Sequence, residues 1–153
     1  MCGCSNGRVR RIMGRQNITT HYQPYRREIY MIGYVTIGTK DMEKAKAFYS
    51  SVLESMGAKV LFDGGRIAFI GKSMAEPCIA VCTPYDEASP QNPGNGNMIA
   101  IDAGSRENVD VLYNKAIELG ATDDGPAGER MPTFYGGYIK DADGNKVCFY
   151  KMG

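Results

Sequence analysis

The sequence predicts an α+β fold: two βαβββ units packed as curved sheets around a cavity. Three observations lead there. From Met31 onward, short alternating apolar runs and apolar residues at three- and four-residue steps follow one another in a fixed order. That order starts again after 64 residues. Each unit offers a single helix for about four strands, so one face of each sheet is left for the other unit to cover.

The first strand is read over 32–37, a short β-branched stretch. Asp41 then suits a helix N-cap, and Ala45, Phe48, Tyr49, Val52, Leu53 and Met56 form one apolar helix face closed by Gly57. Strands are expected over 59–62, 66–70 and 77–83, the first two joined by the turn Asp63-Gly64-Gly65. In the second copy Val35 maps to Ile99, Ile37 to Ile101, Asp41 to the N-cap Ser105, Phe48 to Leu112 and Tyr49 to Tyr113. Its helix ends at Gly120-Ala121, and strands are expected near 122–123, over 137–140 and over 146–151. Asp141-Ala142-Asp143-Gly144-Asn145 is the hairpin turn before the last strand, since Asp, Asn and Gly supply side-chain turn bonds and positive φ. Residues 31–84 and 98–153 are thus the two units, and 85–97, rich in Pro, Asn and Gly, is the linker.

Composition agrees with a globular body. The chain has 153 residues, 43% of them hydrophobic and 23% charged, long enough for a core without staples. No apolar run reaches the length of about 18 residues that a membrane span needs. No apolar segment follows the basic start, so a secretory signal is not expected, and five cysteines suit reduced thiols in a cytoplasmic protein. The net charge of +1 conceals a split: residues 1–30 hold six Arg and one Glu, while 31–153 hold 12 Lys or Arg against 16 Asp or Glu. Residues 1–30 lack any sustained apolar period and read as a basic, disordered extension, or as chain upstream of a start at Met31. The rival is a nucleic-acid arm using Arg8, Arg10, Arg11 and Arg15, which composition alone supports weakly. His21 is the single histidine and lies in this extension, a poor place for a catalytic base; Cys2 and Cys4 are too few for a metal site.

Two motifs carry a resemblance. Gly33-Tyr34-Val35-Thr36-Ile37 with Asp41 and Phe48-Tyr49, and the ending Asp141-Ala142-Asp143-Gly144-Asn145-Lys146-Val147, resemble the vicinal oxygen chelate superfamily of glyoxalase I, bleomycin-resistance proteins and extradiol dioxygenases. The resemblance covers 31–153 and implies the doubled βαβββ fold, a cavity between units and a homodimer. It also implies metal ligands in the metal-dependent members, at places held here by Tyr34, Ala80, Met98 and Cys148. Hard divalent metals prefer imidazole and carboxylate, so a metal-free cavity without cofactor is expected, with a divalent metal as the alternative.

The candidate ligand-binding residues are Tyr34, Arg66, Phe69, Asn97, Met98, Tyr135, Tyr138 and Cys148. Tyr34 would offer a phenol to a ligand oxygen, or be an ordinary strand tyrosine. Arg66 would hold a carboxylate or phosphate in two-point fashion, or be a solvated strand-edge arginine. Phe134-Tyr135-Gly136-Gly137 reads as an aromatic loop lip. Cys148 shares a strand face with Lys146 and reads as an inert cavity-lining thiol; Cys78 and Cys82 share a face and read as packed. No catalytic residue is assigned. The expected function is metal-free binding of a small organic molecule. The alternative is a glyoxalase-like lyase or isomerase, or a dioxygenase-like enzyme, using a metal.

Overall fold

The computed structural model of the chain describes residues 30–86 and 92–153. The expectations for residues 1–29 and for 87–91 of the linker lie outside the described residues. The element order is β1 (Tyr34–Gly38), α1 (Met42–Val52), β2 (Lys59–Asp63), β3 (Ile67–Gly71), β4 (Cys78–Cys82), then β5 (Ile99–Asp102), α2 (Arg106–Glu118), β6 (Thr122–Met131), β7 (Phe134–Lys140) and β8 (Lys146–Met152). The two sheets have one topology, β1-β4-β3-β2 and β5-β8-β7-β6. In each, the first strand pairs with the last in parallel and the other pairs are antiparallel. The repeat read in the sequence is therefore a repeat of structure.

Local chemistry sets the ends. Asp41 accepts from the Lys44 backbone N–H at 3.1 Å and Ser105 from the Asn108 N–H at 3.2 Å, so both helices start on a side-chain cap. Each helical stretch closes alike: Ala58 N–H bonds Leu53 O at 3.2 Å around Gly57, and Ala121 N–H bonds Ala116 O at 3.0 Å around Gly120. Gly57 and Gly120 have φ of +78° and +93°, where a side chain would be strained. The first helix is shorter than expected, because α1 gives way to a 3₁₀ turn, Glu54–Met56, ahead of Gly57.

Three strands differ from expectation. β1 starts at Tyr34 rather than at Ile32: its pairing begins opposite Cys78, whose N–H bonds Gly33 O at 3.2 Å. β6 runs ten residues rather than a few, despite Gly125, Pro126 and Gly128. It is an edge strand whose register shifts three times, and bulges at an edge absorb such residues. The expected aromatic lip is not a loop: Phe134 through Gly137 begin β7, all paired to β8, with Phe134 to Gly136 also paired to β6. The core lies between each sheet and its helix, around Ile37, Tyr49, Val52, Ile70, Ile79 and Val81 in the first unit and Val109, Leu112, Ile139, Val147 and Phe149 in the second. Burying such a side chain contributes about 1.5–3 kcal/mol.

Candidate functional site

Strand alternation sends side chains to two faces, and α1 and α2 each cover one face of one sheet. Among the described residues no element covers the other face. On the first sheet that open face carries Tyr34, Phe69 and Phe62, with Phe69 packed edge-on against Tyr34 at 5.1 Å and tilted against Phe62 at 6.1 Å. Tyr34 and Phe62 stay 54% and 51% exposed, unusual for rings on a sheet interior to a fold. On the second sheet the open face carries Tyr138, opposite Cys148 in the register, and a stacked Phe134–Tyr150 pair 5.6 Å apart.

The open face of the second sheet is also charged. Arg130 lies 5.5 Å and Lys146 5.2 Å from the Tyr138 ring centroid, both within cation–π range. Gly125 makes room for this packing. Its φ is +145°, and a Cβ there would come 3.2 Å from the Tyr138 ring and 3.3 Å from an Arg130 guanidinium nitrogen. Asp124 bridges Lys140 at 2.9 Å and Lys146 at 2.8 Å, and these bonds, Lys146 first, hold its carboxyl below the usual range. Beneath Tyr138 the Cys148 thiol is fully buried, and burial pushes its pKa up against the opposing pull of the Tyr138 hydroxyl and the two cations. Burial likewise raises the Tyr138 phenol.

The expected site residues fall into separate groups. Tyr34 and Phe69 meet on the first open face, Tyr138 and Cys148 on the second. Asn97 and Met98 line a cavity of about 400 Å³ beside β1 and the start of β8, and Met98 also borders one of about 690 Å³ lined by Val35, Ile79, Ile99 and Ile101. Arg66 is committed elsewhere: its guanidinium donates to Thr83 O at 3.1 Å and Pro84 O at 2.9 Å and lies 4.3 Å over the Tyr85 ring, so it fixes the chain leaving β4. Tyr135 faces the opposite way from Tyr138, donating to Asp110 of α2 at 2.8 Å with Arg106 over its ring. Cys78 and Cys82 are half-buried on the open face of β4. Sequence reading missed Arg130 and Gly125, because Gly-Glu-Arg after Pro126 looks like loop and only the bulged pairing of β6 returns Arg130 to Tyr138.

The units join at a buried polar latch. Tyr49 on α1 donates to Asp141 at 2.7 Å, across the molecule. The same carboxylate accepts the backbone N–H of Asp143 at 3.0 Å and of Asn145 at 2.8 Å, which folds the turn. Asp143 in turn accepts from Thr39 at 2.6 Å, and Asn145 donates to Gly38 O at 3.0 Å. Burial and the Asp141 charge keep the Tyr49 phenol protonated. The turn motif therefore belongs to the seam.

The places that metal-dependent relatives would fill with ligands do not fit a hard metal here. Ala80 has no donor atom, Met98 offers a soft thioether, Cys148 is a buried protonated thiol, and Tyr34 packs its ring against Phe69. Among the described residues no three His, Cys, Asp or Glu side chains converge. No helix among them is long and apolar enough to cross a membrane.

Known proteins share this arrangement. A structure of a glyoxalase/bleomycin resistance protein from Albidiferax ferrireducens is 28% identical and superposes with a TM-score of 0.71, over 79% of this chain and 98% of that one. A putative glyoxalase from Bacillus halodurans is 24% identical with a TM-score of 0.60, over 78% and 94% of the two chains. The fosfomycin resistance protein FosX from Mesorhizobium loti is 16% identical with a TM-score of 0.61, over 82% and 95%. A comparison with curated proteins finds no match. The family model for the Glyoxalase/Bleomycin resistance protein/Dioxygenase superfamily matches residues 31–149, the doubled unit almost entire. The chain belongs to that superfamily.

Proposed function

We propose that the protein binds a small, flat organic molecule without a metal, between the open faces of its sheets. One observation carries this reading. The open faces gather aromatic rings around the places where the family's chemistry would need metal ligands: Tyr34, Phe62 and Phe69 on one sheet, Phe134, Tyr138 and Tyr150 on the other. Rings so placed offer large contact area at little entropic cost. Sequestration needs nothing more. A glyoxalase-like lyase or isomerase would need a base, and the two titratable groups at the centre of the second face, Tyr138 and Cys148, are both held protonated at neutral pH by burial. A homodimer that sets one copy's open faces against another's would bury the exposed Tyr34 and Phe62 and close the cavity.

The test is a thermal melt of the full chain with a panel of planar aromatic compounds, in chelator and with Ni, Zn, Mn or Fe(II). Ligand binding to the folded state raises the melting point by linkage. The expected result is a shift by an aromatic compound in chelator that Phe69→Ala or Tyr138→Ala abolishes. A shift by one metal, reversed by chelator, overturns the metal-free reading.

A further inference from the structure

We infer that the open face of the second sheet is an anion-receiving subsite that selects aromatic carboxylates, with Arg130 as the residue that meets the carboxylate. The inference rests on the binding reading above and names the ligand class it takes.

The two open faces hold equivalent frameworks with different charge. Phe69 and Tyr138 occupy the same place, each paired to the centre of its sheet, at Ala80 and Cys148. Opposite Phe69 stands Phe62; opposite Tyr138 stands Gly125. The place of Cys78, two residues before Ala80, is taken by Lys146, two residues before Cys148. The first face is therefore neutral around its central ring. The second has exchanged a ring and a thiol for a glycine and two cations gathered over Tyr138.

These cations are not fully matched. Asp124 serves both Lys140 and Lys146, so two cations share one carboxylate and Arg130 is left outside that pairing. Arg130 has no carboxylate in ion-pair reach among the described residues; its guanidinium donates to the Pro126 carbonyl, which carries no charge. Its neighbour Glu129 is turned to Arg106 at 3.6 Å. Asp102, at the far edge of this sheet, accepts from the Gly104 N–H at 2.8 Å. A guanidinium has five N–H donors in a planar fork, so the Pro126 bond leaves donors for a carboxylate. Anchored by that bond and by the Tyr138 ring, the fork is already oriented. A ligand lying flat on the neighbouring rings would bring an acid group to it.

The test compares naphthoate with its neutral counterpart naphthylmethanol on the full chain, by isothermal titration. Naphthoate is expected to bind at least about tenfold more tightly, and to weaken with salt where the alcohol does not. Arg130→Gln is expected to erase that preference and leave alcohol binding in place, while Arg130→Lys keeps part of it. Asp124→Asn releases Lys140 and Lys146 and is expected to tighten naphthoate binding, a gain that damage to the fold cannot mimic. Equal binding of both probes, with Arg130→Gln silent, overturns the anion subsite and leaves the aromatic cavity standing. Binding of neither probe overturns both.

Discussion

Tyr49 and Tyr113 hold the same place in the two units, 64 residues apart on the buried face of each helix, yet their hydroxyls face carboxylates of different units. Tyr49 reaches out of its unit to Asp141 in the hairpin turn of the other. Tyr113 is faced by Asp123 of its own unit. The repeat supplies the fold twice, and the seam is built once. The turn 141–145 grips the first unit through Tyr49, Thr39 and Gly38, and one carboxylate, Asp141, both folds that turn and receives the helix. The open faces diverge in the same manner: rings surround Phe69 on one sheet, and two cations gather over Tyr138 on the other. Equivalence of position sets the framework; chemistry at a few positions decides what each unit does with it.

The sharpest way to break this contrast is Asp141→Ala. It leaves the buried Tyr49 hydroxyl and two turn N–H groups without their acceptor. Losing hydrogen bonds to a charged, buried acceptor costs about 3 kcal/mol, a fall of about 10 °C in melting temperature for a domain of this size. Asp141→Asn, which retains an acceptor oxygen, is expected to lose about half as much. An Asp141→Ala protein that melts like the parent would show that the seam is held by other contacts.

A smaller effect compares the tyrosines themselves. Tyr49→Phe removes the donor that meets Asp141 and is expected to cost about 1–2 kcal/mol in urea unfolding. Tyr113→Phe keeps the same buried ring and is expected to cost no more than about 0.5 kcal/mol, because Asp123 is exposed and water replaces the hydroxyl. Equal costs would remove the distinction between a seam tyrosine and a core tyrosine.

The fold was legible because its signals are local and repeated. Asp41 and Ser105 announce helices, Gly57 and Gly120 end them, and the 64-residue offset aligns strand with strand. What was not legible depends on pairing. Gly125, Pro126 and Gly128 are turn residues by composition, and only an edge strand with bulges makes them β6. With β6 in place, Arg130 comes to Tyr138, which no sequence spacing indicates. Tyr135 and Tyr138 look like one aromatic cluster, but three residues apart on a strand they face opposite ways. Arg66 carries a fork suited to an anion, and only the backbone path shows it spent on the carbonyls of Thr83 and Pro84.

The smallest expected effect separates the open faces by their cysteines. Cys78 and Cys82 are half-buried on the open face of the first sheet, whereas Cys148 is fully buried beneath Tyr138 on that of the second. Burial raises all three thiols, so thiolate is scarce at neutral pH and alkylation should accelerate as pH rises through and above the usual thiol range. Peptide mapping after iodoacetamide is expected to find Cys78 and Cys82 modified first and Cys148 last. Tyr138→Ala removes the cover and is expected to speed Cys148 modification by about tenfold while leaving melting temperature within a few degrees, since the ring packs on an open face and not in the core. Phe69→Ala, its counterpart, uncovers Ala80 and should leave Cys148 unchanged. If Cys148 reacts as fast as Cys78 in the parent protein, Tyr138 does not shield it. The two faces would then differ in charge alone.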